Sequence, residues 1–431
     1  VDFSSQGWPG NGTLMNPYVI EGLNITADAV CIDISHTTVY FEVRDCMISS
    51  ENESSYDGIT FDDVVNGVVR DCIIDMHNRG VYLRYTPDCI LTNNSVYTYT
   101  NEEFYLDCSP NCILTNNSAF GKRAGVSDGF YLHASDSCIL INNSASYNDH
   151  GFSLVSSNGC TLIENSANRS VYGFYFLVAA NCILERNTAT RNPEPLGGYG
   201  FYTNICTNIT LIDNTASGIY YGFIILGLSS NCSLINNIAY SNGIGIRSYQ
   251  SQNITLMNNQ AYNNLYSGFS LYRSSNCTVT SNTAYNNSVN GFDLTSTNNT
   301  VLTSNIATNN TEHGINLEIG SENNRLYLNR LGDNGVSNAR DNGNLNFWDD
   351  GISQGNYWLD YNGTETYSIL GLAGSVDHYP SGWEIEPTTT DTSTNTITTP
   401  DNGNDIALIV GLTGVGIVSL IGVIIIISKK Q

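Results

Sequence analysis

Two columns of side chains, recurring at a regular spacing, hold the groups able to do chemistry. One runs Thr60, Tyr82, Tyr105, Tyr131, Ser153, Tyr175 and Tyr202. The other, two residues further on, runs Asp62, Arg84, Asp107, His133 and Val155. The open face of a tyrosine ring stacks well on a sugar ring, and its hydroxyl can bond the sugar's own. Carboxylate, guanidinium and imidazole groups beside it can grip hydroxyls or uronate carboxylates. Tyr82, Tyr105, Tyr131, Tyr175, Tyr202, Asp62, Arg84, Asp107 and His133 are therefore the expected ligand-binding face. The same residues also fit a plain solvated ladder in which Arg84 pairs with Asp62 and Asp107, because cross-strand ion pairs of that kind stabilise sheets.

Both columns belong to a repeat of 22 to 27 residues that runs from Gly80 to Asn329. Its firmest column is Asn94, Asn117, Asn143, Asn165, Asn187, Asn214, Asn237, Asn259, Asn282 and Asn305. Five residues before each stands a small or β-branched residue, most often Cys, and nine or ten before that a Gly or, once, Glu103. Each unit reads as three short runs, as in Gly129-Phe130-Tyr131-Leu132, Cys138-Ile139-Leu140 and Asn143-Ser144-Ala145. Apolar residues alternate with others within a run, the strand period of two. Asn, Gly and Ser fill the corners, where turns demand positive φ or local hydrogen bonds. Three strands in about 22 residues predict an all-β, right-handed parallel β-helix of about 13 coils, roughly 60 Å long. Stacking would place Phe130, Phe152 and Phe174 in an internal aromatic column. It would make the asparagines a structural ladder of amides bonded above and below.

A solenoid needs covers at both ends. Residues 1–30 are the expected N-terminal cap, 31–340 the repeats and 341–383 an aromatic and acidic C-terminal cap. The run Gly10-Asn11-Gly12-Thr13 and then Asn16-Pro17-Tyr18-Val19-Ile20-Glu21-Gly22-Leu23 resembles the entry motif of NosD-like proteins. These belong to the wider carbohydrate-binding and sugar-hydrolase group of parallel β-helix repeats. Asn346-Phe347-Trp348-Asp349-Asp350-Gly351, Gly355-Asn356-Tyr357-Trp358-Leu359-Asp360-Tyr361 and Asp377-His378-Tyr379-Pro380 resemble that family's terminal segment. The family's Asp/Gly-rich run between the latter two motifs is replaced here by Glu365-Thr366-Tyr367-Ser368-Ile369-Leu370, which weakens any inherited cation site. The resemblance also implies copper handling as an alternative role. Copper favours clustered Met, His or exposed Cys, whereas four Met and six His are spread over many coils and most of the twelve Cys fall on inward columns.

Thr388 to Thr399 holds eight threonines in twelve residues between Pro387 and Pro400. Such a run builds no core and reads as an extended stalk over 384–405. Ile406 to Ile427 carries no charge and as a helix would span about 33 Å, enough to cross a bilayer. Lys429 and Lys430 follow, so a transmembrane helix at 406–428 with a cytoplasmic tail at 429–431 holds the β-helix outside the cell. The net charge of −24 argues against nucleic acid as a partner and suits either a self-repelling exterior or sites for divalent cations; no cofactor is assigned, Ca²⁺ being the candidate to consider. Acidity and a stalked anchor together suit an archaeal cell surface.

Seven cysteines lie on the inward column and read as buried thiols. Cys46 and Cys72 take ladder positions on adjacent coils, close enough for a bridge to be considered. Hydrolysis of a glycoside meets an obstacle. Asp62 and Asp107, two coils apart, stand about 9.6 Å from each other, at the outer limit of an inverting pair. Arg84 between them holds both ionised, whereas the mechanism needs one protonated acid. A lyase would need its basic group near Asp62-Asp63, and Lys122-Arg123 is the one adjacent basic pair outside the tail. Asp149-His150-Gly151 and Glu312-His313-Gly314 resemble a pectinase His motif, but both end on the Gly column and no Arg-x-Lys accompanies them. The expected function is thus a membrane-anchored extracellular β-helix that binds surface glycans, or other surface proteins, or serves as structure. A polysaccharide lyase or glycoside hydrolase is the alternative, and no residue is assigned a catalytic role.

Overall fold

The computed structural model describes residues 3, 6–99, 101–122, 126–191, 197–363 and 365–383. The expected stalk, transmembrane helix and tail, together with Arg123, lie outside the described residues. Among those described, no helix is long and apolar enough to cross a membrane.

The repeats wind into three parallel sheets, and each coil contributes one strand to each. The phenylalanine sheet contains strands such as Asp128–His133, the leucine sheet Ile139–Ile141 and the alanine sheet Ser144–Ser146. Two sheets have 14 strands and the alanine sheet has 16. The coils therefore number 14 rather than about 13, because the first already begins at Tyr18, which pairs with Phe41. Part of the segment expected as a cap is thus a working coil.

Registration follows from which side chains tolerate being stacked on themselves. Phe104, Phe130, Phe152, Phe174, Phe201 and Phe223 stack inside with centroids 4.6 to 4.8 Å apart. The asparagine ladder is fully satisfied: Asn165 Nδ2 donates to Asn187 Oδ1 at 3.0 Å and to the Leu140 carbonyl at 2.9 Å. Its backbone N–H donates to the same Oδ1 at 2.9 Å, and the buried amide is left with no orphan group. The ladder runs on through Asn329 to Asn356. At its other end the Cys72 N–H donates to Asn94 Oδ1, so Cys72 and, one coil up, Cys46 do hold ladder positions, as free buried thiols. A second ladder, Asn242, Asn264, Asn287, Asn310 and Asn334, lines another corner.

Glycine marks where the phenylalanine strand leaves that corner. A Cβ on Gly151 would lie 2.7 Å from the Gly173 carbonyl and 2.9 Å from Ala167 Cβ, so the column admits almost nothing larger. Both ends are closed by aromatics. Phe3 stacks on Tyr18 and Phe41. At the other end Trp348 and Trp358 are fully buried, their indole N–H groups donating 2.9 Å bonds to Asp341 and Asp377. Tyr357–Trp358 and Ser381–Gly382 add the last two strands to the alanine sheet.

Candidate binding face

The outer face of the phenylalanine sheet carries the expected residues in the expected register. Thr60, Tyr82, Tyr105 and Tyr131 are successive partners, followed by Ser153, Tyr175 and Tyr202. Asp62, Arg84, Asp107, His133 and Val155 run beside them. A third outward column, not among the residues expected from sequence, flanks the tyrosines on the other side. It runs Asp128, His150, Tyr172, Tyr199 and Tyr221. Glu102, Arg79 and Asp57 continue it upstream, two residues before each inward Phe104, Val81 and Ile59. Its signal is present in the chain as Tyr172-Gly173-Phe174, Tyr199-Gly200-Phe201 and Tyr221-Gly222-Phe223. His150 also belongs here: the Gly beside it faces inward, and the imidazole faces out.

Stacking that builds the ladder also governs how the rings are presented. Tyr82, Tyr105 and Tyr131 stack at 5.0 and 4.9 Å, Tyr175 on Tyr202 at 5.1 Å, and Tyr172 on Tyr199 at 4.7 Å. Tyr172 and Tyr199 also meet Tyr202 edge to face. The ring faces are therefore spent on one another, and Arg79 covers Tyr82 at 3.7 Å. What reaches solvent is a layer of ring edges and hydroxyls, which corrects the expectation of open faces for sugars to stack on. Burial raises the phenol pKa along the layer, with Tyr172 pushed up to about 12, so the hydroxyls stay protonated donors.

The charges pair less evenly than a simple ladder would. Arg84 donates through Nε to Asp62 Oδ1 at 2.9 Å and through Nη2 to the other oxygen. That hydrogen bond holds the Asp62 carboxyl below its usual range. Asp107 takes His133 Nδ1 at 2.8 Å instead of the guanidinium, so Arg84 pairs on one side only. Arg79 forks onto Asp57 at 2.9 and 2.8 Å. Among the described residues no side chain bonds Glu102, and burial raises its pKa, with the nearby Asp128 adding to the effect. Lys122 pairs with Asp75 on another sheet, so that lysine does not stand beside Asp62-Asp63 as the basic group of a lyase.

One cluster of three potential metal donors occurs among the described residues: Asp128, Asp149 and His150, with ligand atoms within 4.8 Å of one another. His150 Nδ1 already bonds Asp128 at 2.6 Å and lies 3.7 Å from Asp149.

The profile of the family described as periplasmic copper-binding protein (NosD) matches residues 21–194, 124–229 and 179–363, most of the chain. The protein belongs to the NosD family. No curated protein matches it significantly. Solved structures similar to this NosD-family chain include the Azotobacter vinelandii mannuronan C-5 epimerase AlgE6 A-module. It shares 16% identity over 85% of this chain and 91% of that one, with a TM-score of 0.41. The periplasmic alginate epimerase AlgG shares 12% over 85% and 86%, TM-score 0.42. An alginate lyase from Paenibacillus sp. str. FPU-7 shares 12% over 52% and 86%, TM-score 0.38. At these scores the likenesses carry no argument about activity.

The copper in the family description can be set against the donors present. Ten cysteines are buried. The half-buried pair have one neighbouring donor each: Cys31 Sγ lies 3.7 Å from His77 Nε2 and Cys108 Sγ 3.6 Å from Asp107. Met15 and Met47 are exposed, far apart in the chain, and Met76 sulfur accepts from Lys122. The Asp128, Asp149 and His150 set is two carboxylates with one imidazole, a harder donor set than copper(I) selects. The described residues do not fit a soft copper site.

Proposed function

We propose that this NosD-family protein is a membrane-anchored extracellular module that binds glycans along the outer face of its phenylalanine sheet. The observation that carries the reading is the tyrosine layer, one column wide from Tyr82 to Tyr131 and, past the gap at Ser153, two columns wide through Tyr172, Tyr175, Tyr199 and Tyr202, ending at Tyr221. Each coil advances about 4.8 Å, close to the length of one sugar in an extended polysaccharide. A glycan lying along the axis then meets a ring edge and a hydroxyl donor at nearly every unit. The uncharged stretch Ile406 to Ile427, followed by Lys429 and Lys430, supports the anchor.

The test is a glycan array probed with the full chain in detergent, with reducing ends and unsaturated products assayed in the same wells. Binding without product is expected. Product would move the assignment to a polysaccharide-cleaving enzyme, the second reading, for which Glu102, its pKa raised by burial, suits the acid's role better than Asp62, whose pKa Arg84 lowers. Neither binding nor product would leave a structural spacer.

A further inference from the structure

We infer that the glycan taken by this face is a polymer of amino sugars, positively charged, and that polyuronates are rejected. The inference rests on the glycan-binding reading and adds the ligand's chemical class.

It follows from how the cations on the face are already used. Arg79 and Arg84 are the arginines beside the first tyrosine stack. Each is forked onto a carboxylate of its own, Asp57 and Asp62. A uronate carboxylate arriving at Tyr105 or Tyr131 would find both guanidiniums engaged and would have to displace an existing pair to reach either. The anionic groups are not used up in the same way. Glu102 has no side-chain partner among the described residues. Asp128 and Asp149 share a single imidazole, and Asp107 is met by His133 and the weakly donating Cys108 thiol, with no guanidinium or ammonium on it among the described residues. These carboxylates flank the stack on both sides. Glu102 and Asp128 stand in register on consecutive coils, as the paired strands of Phe104 and Phe130 require.

One coil corresponds to about one sugar unit, so an ammonium on successive units can reach successive carboxylates while the ring edges and phenols hold the sugar body. The burial and crowding that raise the pKa of Glu102 and Asp149 are relieved by the same ammonium groups. A polyuronate would add negative charge to a face that already has a surplus, and like charges brought together across an interface are what exclude a wrong partner.

Titration of the full chain in detergent with oligomers of chitosan, chitin and galacturonate of equal length separates the possibilities. At low salt the chitosan oligomer is expected to bind about tenfold more tightly than the chitin oligomer, from one or two half-exposed ion pairs. The advantage should shrink as salt screens it, and galacturonate should not bind. Glu102→Gln should bring the chitosan-to-chitin ratio towards one, while Asp213→Asn, on a different corner, leaves the ratio unchanged. Equal or tighter binding of chitin, or binding of galacturonate with or without Ca²⁺, would overturn the charge assignment and leave glycan binding standing. Failure of all three, together with an array negative for every other sugar, would overturn the glycan reading itself.

Discussion

Glu103 is a carboxyl placed where nearly every other coil has glycine, fully enclosed within the solenoid. Thr98 and Ser127 hydroxyls donate to its Oε1 at 2.9 and 3.2 Å, and Asn148 Nδ2 lies 2.9 Å from Oε2. Burial pushes its pKa well above the usual carboxylate range, by more than these donors bring it down. Asn148 Oδ1, buried, has no partner. Exchanging the amide's N and O would let a protonated Glu103 donate to that oxygen. Because the folded-state pKa is raised, the unfolded chain loses this proton first. The stability it contributes is full below the unfolded pKa of about 4.3 and declines as pH rises from there towards the folded value. Glu103→Gln is therefore expected to raise stability at neutral pH by at least about 1 kcal/mol and to change little near pH 4. Thermal midpoints of both proteins at the two pH values check it, and a variant less stable at neutral pH would refute it. The ladder predicts the opposite kind of loss. Asn187→Ala strands the Asn165 amide and the Leu162 carbonyl, a cost of about 2–4 kcal/mol that a urea titration would register as a lower midpoint.

At the scale of elements, the corners carry the strain. Ladder asparagines are preceded by residues in the left-handed region, such as Asn116 and Asn142 at φ of 56° and 53°, a conformation Asn tolerates well. Val178 and Ile205 occupy an equivalent left-handed corner after the phenylalanine strand, at φ of 54° and 56°, with side chains about half exposed. β-branched residues are out of place there. Val178→Asn and Ile205→Asn should each stabilise the protein by about 1 kcal/mol, seen as a rise in thermal midpoint, and no rise in either would mean the corners are not strained. Elements of this kind explain how far the chain could be read in advance. The Asn and Phe columns were legible because a buried position stacked on its own copy allows few residue types, so the ladder asparagine recurs on every coil from Asn94 to Asn356, with Cys46 and Cys72 in its place before that. The outward columns vary in composition because water tolerates most side chains. Tyr82 and Asp62 were found by counting from Phe, while Glu102 and Asp128 were passed over because they lie on the far side of the glycine, and His150 was set aside for adjoining that glycine. Nor could the spacing reveal that tyrosines spaced one coil apart would cover one another's faces.

For the whole molecule, 14 coils closed at both ends by aromatics make a rigid surface whose every position is indexed by coil number. Its net charge of −24 sets copies against one another by like-charge repulsion. The proposed span predicts that the full chain sediments with membranes after carbonate washing and that removal of 384–431 releases it; a full chain that stays soluble would remove the anchor from the account. The claim on which the functional account turns is that binding belongs to one face only. Its most direct measurement is a titration, against whichever array glycan binds best, of the native chain beside two altered ones. Tyr131→Ala with Tyr202→Ala cuts the layer on the phenylalanine sheet, and Tyr262→Ala breaks the tyrosine stack on the alanine sheet. The account predicts that the double variant loses affinity by at least about tenfold while Tyr262→Ala binds as the native chain does. Retained binding in the double variant, or its loss in Tyr262→Ala, would contradict it.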